Sequence, residues 1–334
     1  MTTFVLGGAG FIGTNFVFNY LKNNNDHLIV YDKLTYAGNR KNFQKIEGNC
    51  NFTFIKGDIT DKKKLTESFL RYKPQKVINF AAETHVDNSI KNPELFITSN
   101  IIGTFSLLEV VRNYYDNISK AHKKNFVLIN ISTDEVFGSL NFNTKPFTEN
   151  SPYLPNSPYS ASKASSDHLV RSYFKTYKIP IITTHCSNNF GPFQNKEKLI
   201  PKTILNALNW EAIPIYGKGK NIRDWLYVGD HCNALDYIIK KGKVGDSYNI
   251  GGENELSNIN LVRMICTKLD EIYPNKKGSY QNLINFVEDR PGHDVRYAID
   301  CSKIKNSLNW KPNCTFNESL NYTLHWYLKF FNRV

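Results

Sequence analysis

The stretch Gly7-Gly8-Ala9-Gly10-Phe11-Ile12-Gly13 restricts what this chain can fold into more than any other. It follows a short apolar run at 4–6 and opens a segment, 11–22, with a helical pattern. Gly7, Gly10 and Gly13 form a G-x-x-G-x-x-G pattern. Glycine permits the tight turn and lets backbone N–H groups approach a pyrophosphate at a helix N-terminus. A glycine triplet alone is weak, but a strand before it and a helix after it are the context a dinucleotide fingerprint demands. Asp32 ends the next apolar run about 20 residues on, where a carboxylate binds ribose hydroxyls. Such a carboxylate repels a 2′-phosphate, so NAD is expected over NADP, with Lys33 as a cation working against that preference.

Runs rich in β-formers recur at 28–31, 52–55, 76–80, 126–131 and 179–184, and helical patterns at 62–72, 93–114 and 161–177 lie between them. This alternation predicts an α/β fold, a Rossmann-type doubly wound parallel sheet. Asp58 and Ile59 after the third run are placed to reach the adenine. Ala81 and Ala82 after the fourth are small enough for a dinucleotide to cross the sheet edge. Beyond about residue 188 the rhythm breaks, and 247–250 reads as one more strand. The expected division is a dinucleotide-binding domain over 1–187 plus about 222–250. A smaller mixed α/β substrate domain takes about 188–221 and 251–334.

The chain carries 42 Lys and Arg against 30 Asp and Glu, a net charge of +12. The lysines are dispersed, with one notable cluster at 62–64, so a solvated surface is expected and no nucleic acid. The field still favours anionic ligands. No run reads as long enough to span a bilayer, and the first residues lack the pattern of a secretory signal. Six cysteines without metal-ligand or redox spacing read as reduced thiols in a cytoplasmic protein, with no metal site and no membrane partner.

Tyr159 and Lys163 stand four apart and share a face if helical. A free tyrosine has a pKa of about 10, so roughly one in a thousand is ionised at pH 7. Lys163 and a nicotinamide charge are expected to stabilise the phenolate, which then takes a proton from a sugar hydroxyl. Upstream, Thr133-Asp134-Glu135 follows the 126–131 run, at the carboxyl edge of the sheet where ligands bind. Thr133 offers a hydroxyl to the sugar or to Tyr159. A carboxylate and a carboxylic acid side by side can remove one proton and deliver another; Glu135 reads as the base and Asp134 as the acid. The same pair could instead cap a helix.

These residues resemble the extended short-chain dehydrogenase/reductases and, among them, the dTDP-glucose branch of the nucleotide-sugar 4,6-dehydratases. The resemblance runs over nearly the whole chain: GGAGFIG (7–13), YDKLTYAGN (31–39), GDI (57–59), AAETHVD (81–87), STDEVFG (132–138), YSASKAS (159–165), SNNFGPFQ (187–194), EKLIP (197–201), PIYGKGKNIRDWLYV (214–228), YNIGG (248–252) and DRPGHDVRYAID (289–300). It implies NAD contacts at Phe11, Ile12, Asp32, Lys33, Leu34, Thr35, Asp58, Ile59, Ala81, Ala82, Tyr159, Lys163 and Asn189. It implies nucleotide-sugar contacts at Thr84, Thr133, Asn188, Lys198, Leu199, Pro214, Tyr216, Arg223, Asn258, Arg290 and His293. Arg223 and Arg290 suit diphosphate oxygens, and Tyr216 beside Pro214 offers a flat face to a pyrimidine. The implied reaction takes dTDP-α-D-glucose to dTDP-4-dehydro-6-deoxy-α-D-glucose and water, with NAD recycled, in a homodimer joined through helices over 93–114 and 159–177. Asn88, Phe137, Phe190, His185 and Gly229 depart from the family pattern, and the lost hydroxyls at 137 and 190 are expected to retune sugar contacts. A UDP-glucose 4,6-dehydratase, a UDP-hexose 4-epimerase and a non-catalytic NAD-sensing or nucleic-acid-binding module are the alternatives.

Overall fold

Strands bury both faces in a parallel sheet, so their sequences are nearly continuous apolar runs. β1 (Thr2–Leu6), β2 (His27–Asp32), β3 (Phe52–Lys56), β4 (Lys76–Asn79), β5 (Val127–Thr133) and β6 (Ile181–Cys186) have this character. In the computed structural model, which describes residues 1–331, they form a seven-stranded sheet with a strand from later in the chain. Residues 332–334, the end of the expected substrate domain, lie outside the described residues. The remaining strands are β7 (Asn188–Phe190), β8 (Ile213–Tyr216), β9 (Ile222–Tyr227), β10 (Ser247–Ile250), β11 (Glu255–Ser257) and β12 (Ile284–Val287). The large sheet runs β10-β6-β5-β4-β1-β2-β3, and each of its pairings is parallel.

Alternation along each strand sorts the core into two layers. Val5, Val30 and Ile129 face the Phe11–Asn23 and Val228–Lys241 helices, where Phe16, Val17 and Leu235 meet them. Phe4, Leu6, Ile29 and Val77 face the opposite layer with Leu65, Phe69, Leu107 and Val170. Strand order reverses between β1 and β4. Loops after β1 and after β4 therefore part in opposite directions, and a crevice opens at their carboxyl ends.

Two helices differ from their sequence reading. The one expected over 161–177 starts earlier, as Pro158–Tyr177: Ser157 and Ser160 form a capping box, and Pro158 occupies the first turn. That extension places Tyr159 inside the helix. The one expected over 93–114 runs on to Asn117 and widens to a π-helix over Ile97–Ile102. It also corrects the expectation that no segment is long and apolar enough to cross a bilayer. Pro93–Asn117 passes that test by length and composition, with mean hydropathy 1.4, yet half of the window is buried within the protein.

The second layer of structure is smaller. β7, β9 and β11 make a three-stranded sheet, and β8 pairs with β12. A third core of Phe190, Ile204, Trp225, Leu261, Ile265 and Leu324 lies beneath them. The chain interleaves: the Val228–Lys241 helix and β10 return to the large sheet, whereas β9, which the sequence reading grouped with them, stays with β7 and β11. Ile299, Cys301, Ile304 and Trp310, grouped by sequence with the substrate domain, pack into the first core.

Candidate active site

The glycine turn is built as a cradle. Gly7 has φ 69°, and a Cβ there would lie 2.5 Å from the Ala81 backbone nitrogen; one on Gly13 would lie 2.4 Å from the Gly7 carbonyl oxygen. The loops after β1 and β4 thus touch backbone to backbone. At Gly10 a Cβ would meet nothing closer than 3.4 Å, so its smallness is spent on the open side, facing the crevice. Asp32 ends β2 with both oxygens held, one by the Ala9 N–H at 2.9 Å and one by the Leu34 N–H at 2.7 Å. Burial pushes its carboxyl up, and the two N–H groups oppose that. Lys33 is turned onto Asp58 at 2.7 Å. Its side chain is 61% exposed there.

The crevice continues without a break into the catalytic residues. One cleft of about 310 Å³ is lined by Gly7, Gly10, Phe11, Ile12, Gly13, Asp32, Lys33, Thr35, Asp58, Ile59, Ala81 and Ala82. The same walls include Thr84, Thr133, Asp134, Glu135, Tyr159, Lys163, Asn188, Asn189 and Lys198. Sequence reading missed Asn100. Its side chain accepts from the Glu83 N–H at 2.8 Å and donates to the Glu83 carbonyl at 3.0 Å and to Ser162 at 2.8 Å. It ties the loop after β4 to the Tyr159 helix from inside the π turn, a signal that an Asn in an apolar helix can carry.

Thr133 closes β5, and Asp134 and Glu135 begin the short 3-10 helix after it. The Thr133 hydroxyl donates to Asp134 Oδ1 at 3.3 Å and accepts from the Glu135 N–H at 3.3 Å. Asp134 is buried, and its Oδ2 has no hydrogen-bond partner among the described residues. Burial, then the charges of Glu135 and Asp224, push its carboxyl well above the ordinary range. Burial raises Glu135 too; Arg223, Arg290 and Lys198 oppose that, and its carboxyl stays raised. The two carboxyls therefore sit in different fields, one crowded by anions and one by cations. Adjacent groups with pKa values pushed apart suit one acid and one base.

Tyr159 is buried on the wall of the cleft. Burial, then Glu135 and Cys186, push its phenol well above 10, and the Thr133 hydroxyl works the other way. Lys163 is 6% exposed and donates to the Ile131 carbonyl at 2.7 Å. Burial lowers its pKa, while Asp167 and Cys186 raise it. The protein's own groups thus push the Tyr159 phenol up, because it is desolvated on a wall shared with two carboxyls.

Not every carried-over residue lies on that cleft. Leu34 contributes its backbone N–H to Asp32, and Leu199 starts the Leu199–Asn209 helix. Asn258 starts the Asn258–Ile272 helix, where its N–H is held by the Asn221 carbonyl at 3.0 Å. Pro214 lies within β8, and Tyr216 ends that strand with its hydroxyl on Asp87 at 3.0 Å. Asp87 also pairs with Arg290 at 3.1 Å, and His293 lies edge-on to Tyr216 and bonds Asp289 at 2.6 Å. Asp87 is the residue sequence reading passed over; it joins the first domain to the loop after β12. Arg290 Nε is buried without a partner among the described residues. Arg223 is 4% exposed, donates to the Asp294 carbonyl at 3.0 Å, and lies 4.3 Å over the Tyr297 ring. It acts on Glu135 as a buried cation. Phe137 and Phe190 are fully buried in aromatic clusters away from the cleft, Phe137 against Phe147 and His185 and Phe190 against Phe316. Neither ring lies on the cleft wall, so the expected retuning has no direct route from these positions. All six cysteines are free.

A dinucleotide cradle that opens onto a helix-borne Tyr–Lys pair and a carboxyl pair defines an enzyme of the extended short-chain dehydrogenase/reductase class. The family model described as GDP-mannose 4,6 dehydratase matches residues 4–323. The dTDP-glucose 4,6-dehydratase of Salmonella typhimurium strain LT2 is 51% identical over 98% of this chain and 93% of its own length. A crystal structure of the Bacillus anthracis dTDP-glucose 4,6-dehydratase in complex with NAD is 45% identical, with TM-score 0.86 over 98% of this chain and 97% of that one. DesIV, a dTDP-glucose 4,6-dehydratase from Streptomyces venezuelae, is 37% identical with TM-score 0.89 over 98% and 97%. The chain belongs to this family of nucleotide-sugar 4,6-dehydratases.

Proposed function

We propose that this chain converts dTDP-α-D-glucose to dTDP-4-dehydro-6-deoxy-α-D-glucose and water. The observation that carries the reading is one cleft in which Tyr159 and the Asp134–Glu135 pair share a wall continuous with the glycine cradle. An oxidoreductase that only moves hydride has no use for two such carboxyls. The cradle of Gly7 and Gly13, with Asp32 held in place at its far end, fits NAD. When bound, NAD would supply a cationic ring that accepts the C4 hydrogen as hydride and returns it to C6, and that charge would oppose the burial that raises the Tyr159 phenol, favouring the phenolate.

Tyr159 takes the proton of the C4 hydroxyl, so a C4 ketone forms. The ketone acidifies the neighbouring C5–H. Glu135, kept the more anionic by Arg223, Arg290 and Lys198, removes that proton. Asp134, kept protonated by burial, gives its proton to the C6 hydroxyl, which leaves as water. Glu135 then returns its proton to C5. Two protons are taken and two are given, and the one left on Tyr159 equals the one Asp134 spent. Arg290, half-buried with Nε unpartnered, is the diphosphate contact, and Tyr216 and His293 flank the base.

Incubation with dTDP-glucose and no added NAD tests this. The alkali-induced ultraviolet chromophore of a 4-keto-6-deoxy sugar is expected, and more slowly from UDP-glucose. A folded, NAD-supplied protein that yields no chromophore contradicts the reading, and a UDP-glucose preference reassigns the base.

The protein acts as a homodimer in the cytoplasm. Leu95, Ile97, Ile102 and Phe105 are exposed along one apolar helical stretch, and a second copy of the same stretch is the symmetric partner that covers them. Sedimentation as a dimer at micromolar concentration, with the protein recovered in the soluble fraction, is expected; a monomer, or membrane recovery, contradicts it.

A further inference from the structure

Asp167 is 5% exposed and has no role in the steps above, yet a buried carboxylate is expensive unless partnered. It lies two helical turns after Tyr159 and one after Lys163, at i, i+4 and i+8 of the Pro158–Tyr177 helix, so the three share a face. Its oxygens are saturated from the sheet side. Ser132 donates to Oδ2 at 2.6 Å, Asn130 donates to Oδ1 at 3.1 Å, and the Tyr153 hydroxyl donates to Oδ2 at 3.3 Å. His185 on β6 is 3.5 Å from Oδ2 and 2.7 Å from the Tyr153 hydroxyl. Ser132 directly precedes Thr133, so the strand that presents the catalytic hydroxyl also fixes this carboxylate.

We propose that Asp167 is a positioning residue: its carboxylate, pinned between β5 and the Tyr159 helix, keeps the buried Lys163 charged behind Tyr159. Lys163 donates to the Ile131 carbonyl, a neutral acceptor, so that bond alone does not compensate a buried ammonium. Asp167 supplies the opposing charge one turn away, and it raises the lysine's proton affinity against burial. The titratable groups around the pair are Tyr159 on the same helix, Tyr153 on the loop before it, His185 and Cys186 on β6, and Asp134 after β5. The inference rests on the dehydratase reading for its catalytic meaning, but the charge of Lys163 can be measured without turnover.

Lysine labelled with ¹³C at Cε reports that charge by NMR in the unaltered protein, and Lys163 is expected to be protonated at about pH 8. A neutral Lys163 there overturns the proposal, whatever the enzyme's substrate. In Asp167→Asn, kcat on dTDP-glucose is expected to fall about 10- to 100-fold with KM nearly unchanged. Its alkaline limb should move down by about one pH unit, because Lys163 loses its proton sooner. Tyr153→Phe, which keeps the carboxylate, should leave that limb in place. A folded Asp167→Asn with an unmoved limb makes the residue merely structural and overturns the proposal. If Asp167→Asn does not fold, the NMR result on the unaltered protein decides. Failure of the unaltered protein to turn over dTDP-glucose strikes the dehydratase reading and leaves the Lys163 measurement standing.

Discussion

Glu135→Gln is expected to lower turnover of dTDP-glucose by about 10²- to 10⁴-fold, the contribution of a positioned proton-transfer group. The change is nearly isosteric and keeps the backbone bond to Thr133, so binding should change little. Solvent exchange separates its role from that of Asp134. In deuterium oxide, Glu135→Gln should leave C5 of the sugar unlabelled, because the group that removes the C5 proton is gone. Asp134→Asn should also lose product, yet C5 exchange should continue, since the ketone forms and Glu135 still works. If Glu135→Gln exchanges C5 and Asp134→Asn does not, the two roles are reversed. A stability signature accompanies the second variant. Burial raises the Asp134 carboxyl well above its unfolded value. Below the unfolded value of about 3.9 both states are protonated and the group costs nothing. As pH rises beyond it, only the unfolded state ionises and folding is penalised. Asp134→Asn should therefore gain melting temperature at pH 7 and lose that gain near pH 3.

Tyr159→Phe should cost at least as much, because it stops the step on which the carboxyls depend. Without a base for the C4 hydroxyl no ketone forms, and C5–H stays inert. This variant should thus lose about 10³- to 10⁴-fold in turnover and show no C5 exchange, with Asp134 and Glu135 both intact. The ring is buried edge-on to Phe96 at 6.3 Å, and phenylalanine keeps that packing. Melting temperature should hold while activity falls. Persistent C5 exchange in Tyr159→Phe would show that some other group takes the C4 proton.

Much of this site is legible without coordinates because its parts are local. Gly7, Gly10 and Gly13 announce themselves by spacing; the Gly13 contact with the Gly7 carbonyl lies within one turn, whereas the Gly7 contact with Ala81 comes from the loop after β4. Tyr159 and Lys163 are separated by one helical turn, and Thr133 to Glu135 are adjacent. What sequence hides is nonlocal. Asp87 meets Arg290 across 203 residues, and Asn130 meets Asp167 across 37. Nothing in the one-dimensional pattern brings them together. Burial is the second hidden quantity: it pushes the Tyr159 phenol up, against the cations that the sequence suggested would lower it, and it places Phe137 and Phe190 inside aromatic clusters. The helix at 93–117 shows a third limit. Its apolar length passes for a membrane span, which the sequence reading did not recognise, and only the tertiary structure shows one face against the Tyr159 helix and the other turned outward.

The most direct test follows one atom. dTDP-glucose carrying deuterium at C4 is supplied to the protein without added NAD, and the product is examined by mass spectrometry and NMR. Transient oxidation at C4 followed by reduction at C6 predicts that deuterium reappears at C6 of the 4-keto-6-deoxy product. Deuterium retained at C4 of an unchanged or epimerised sugar, or lost entirely to water, contradicts the mechanism.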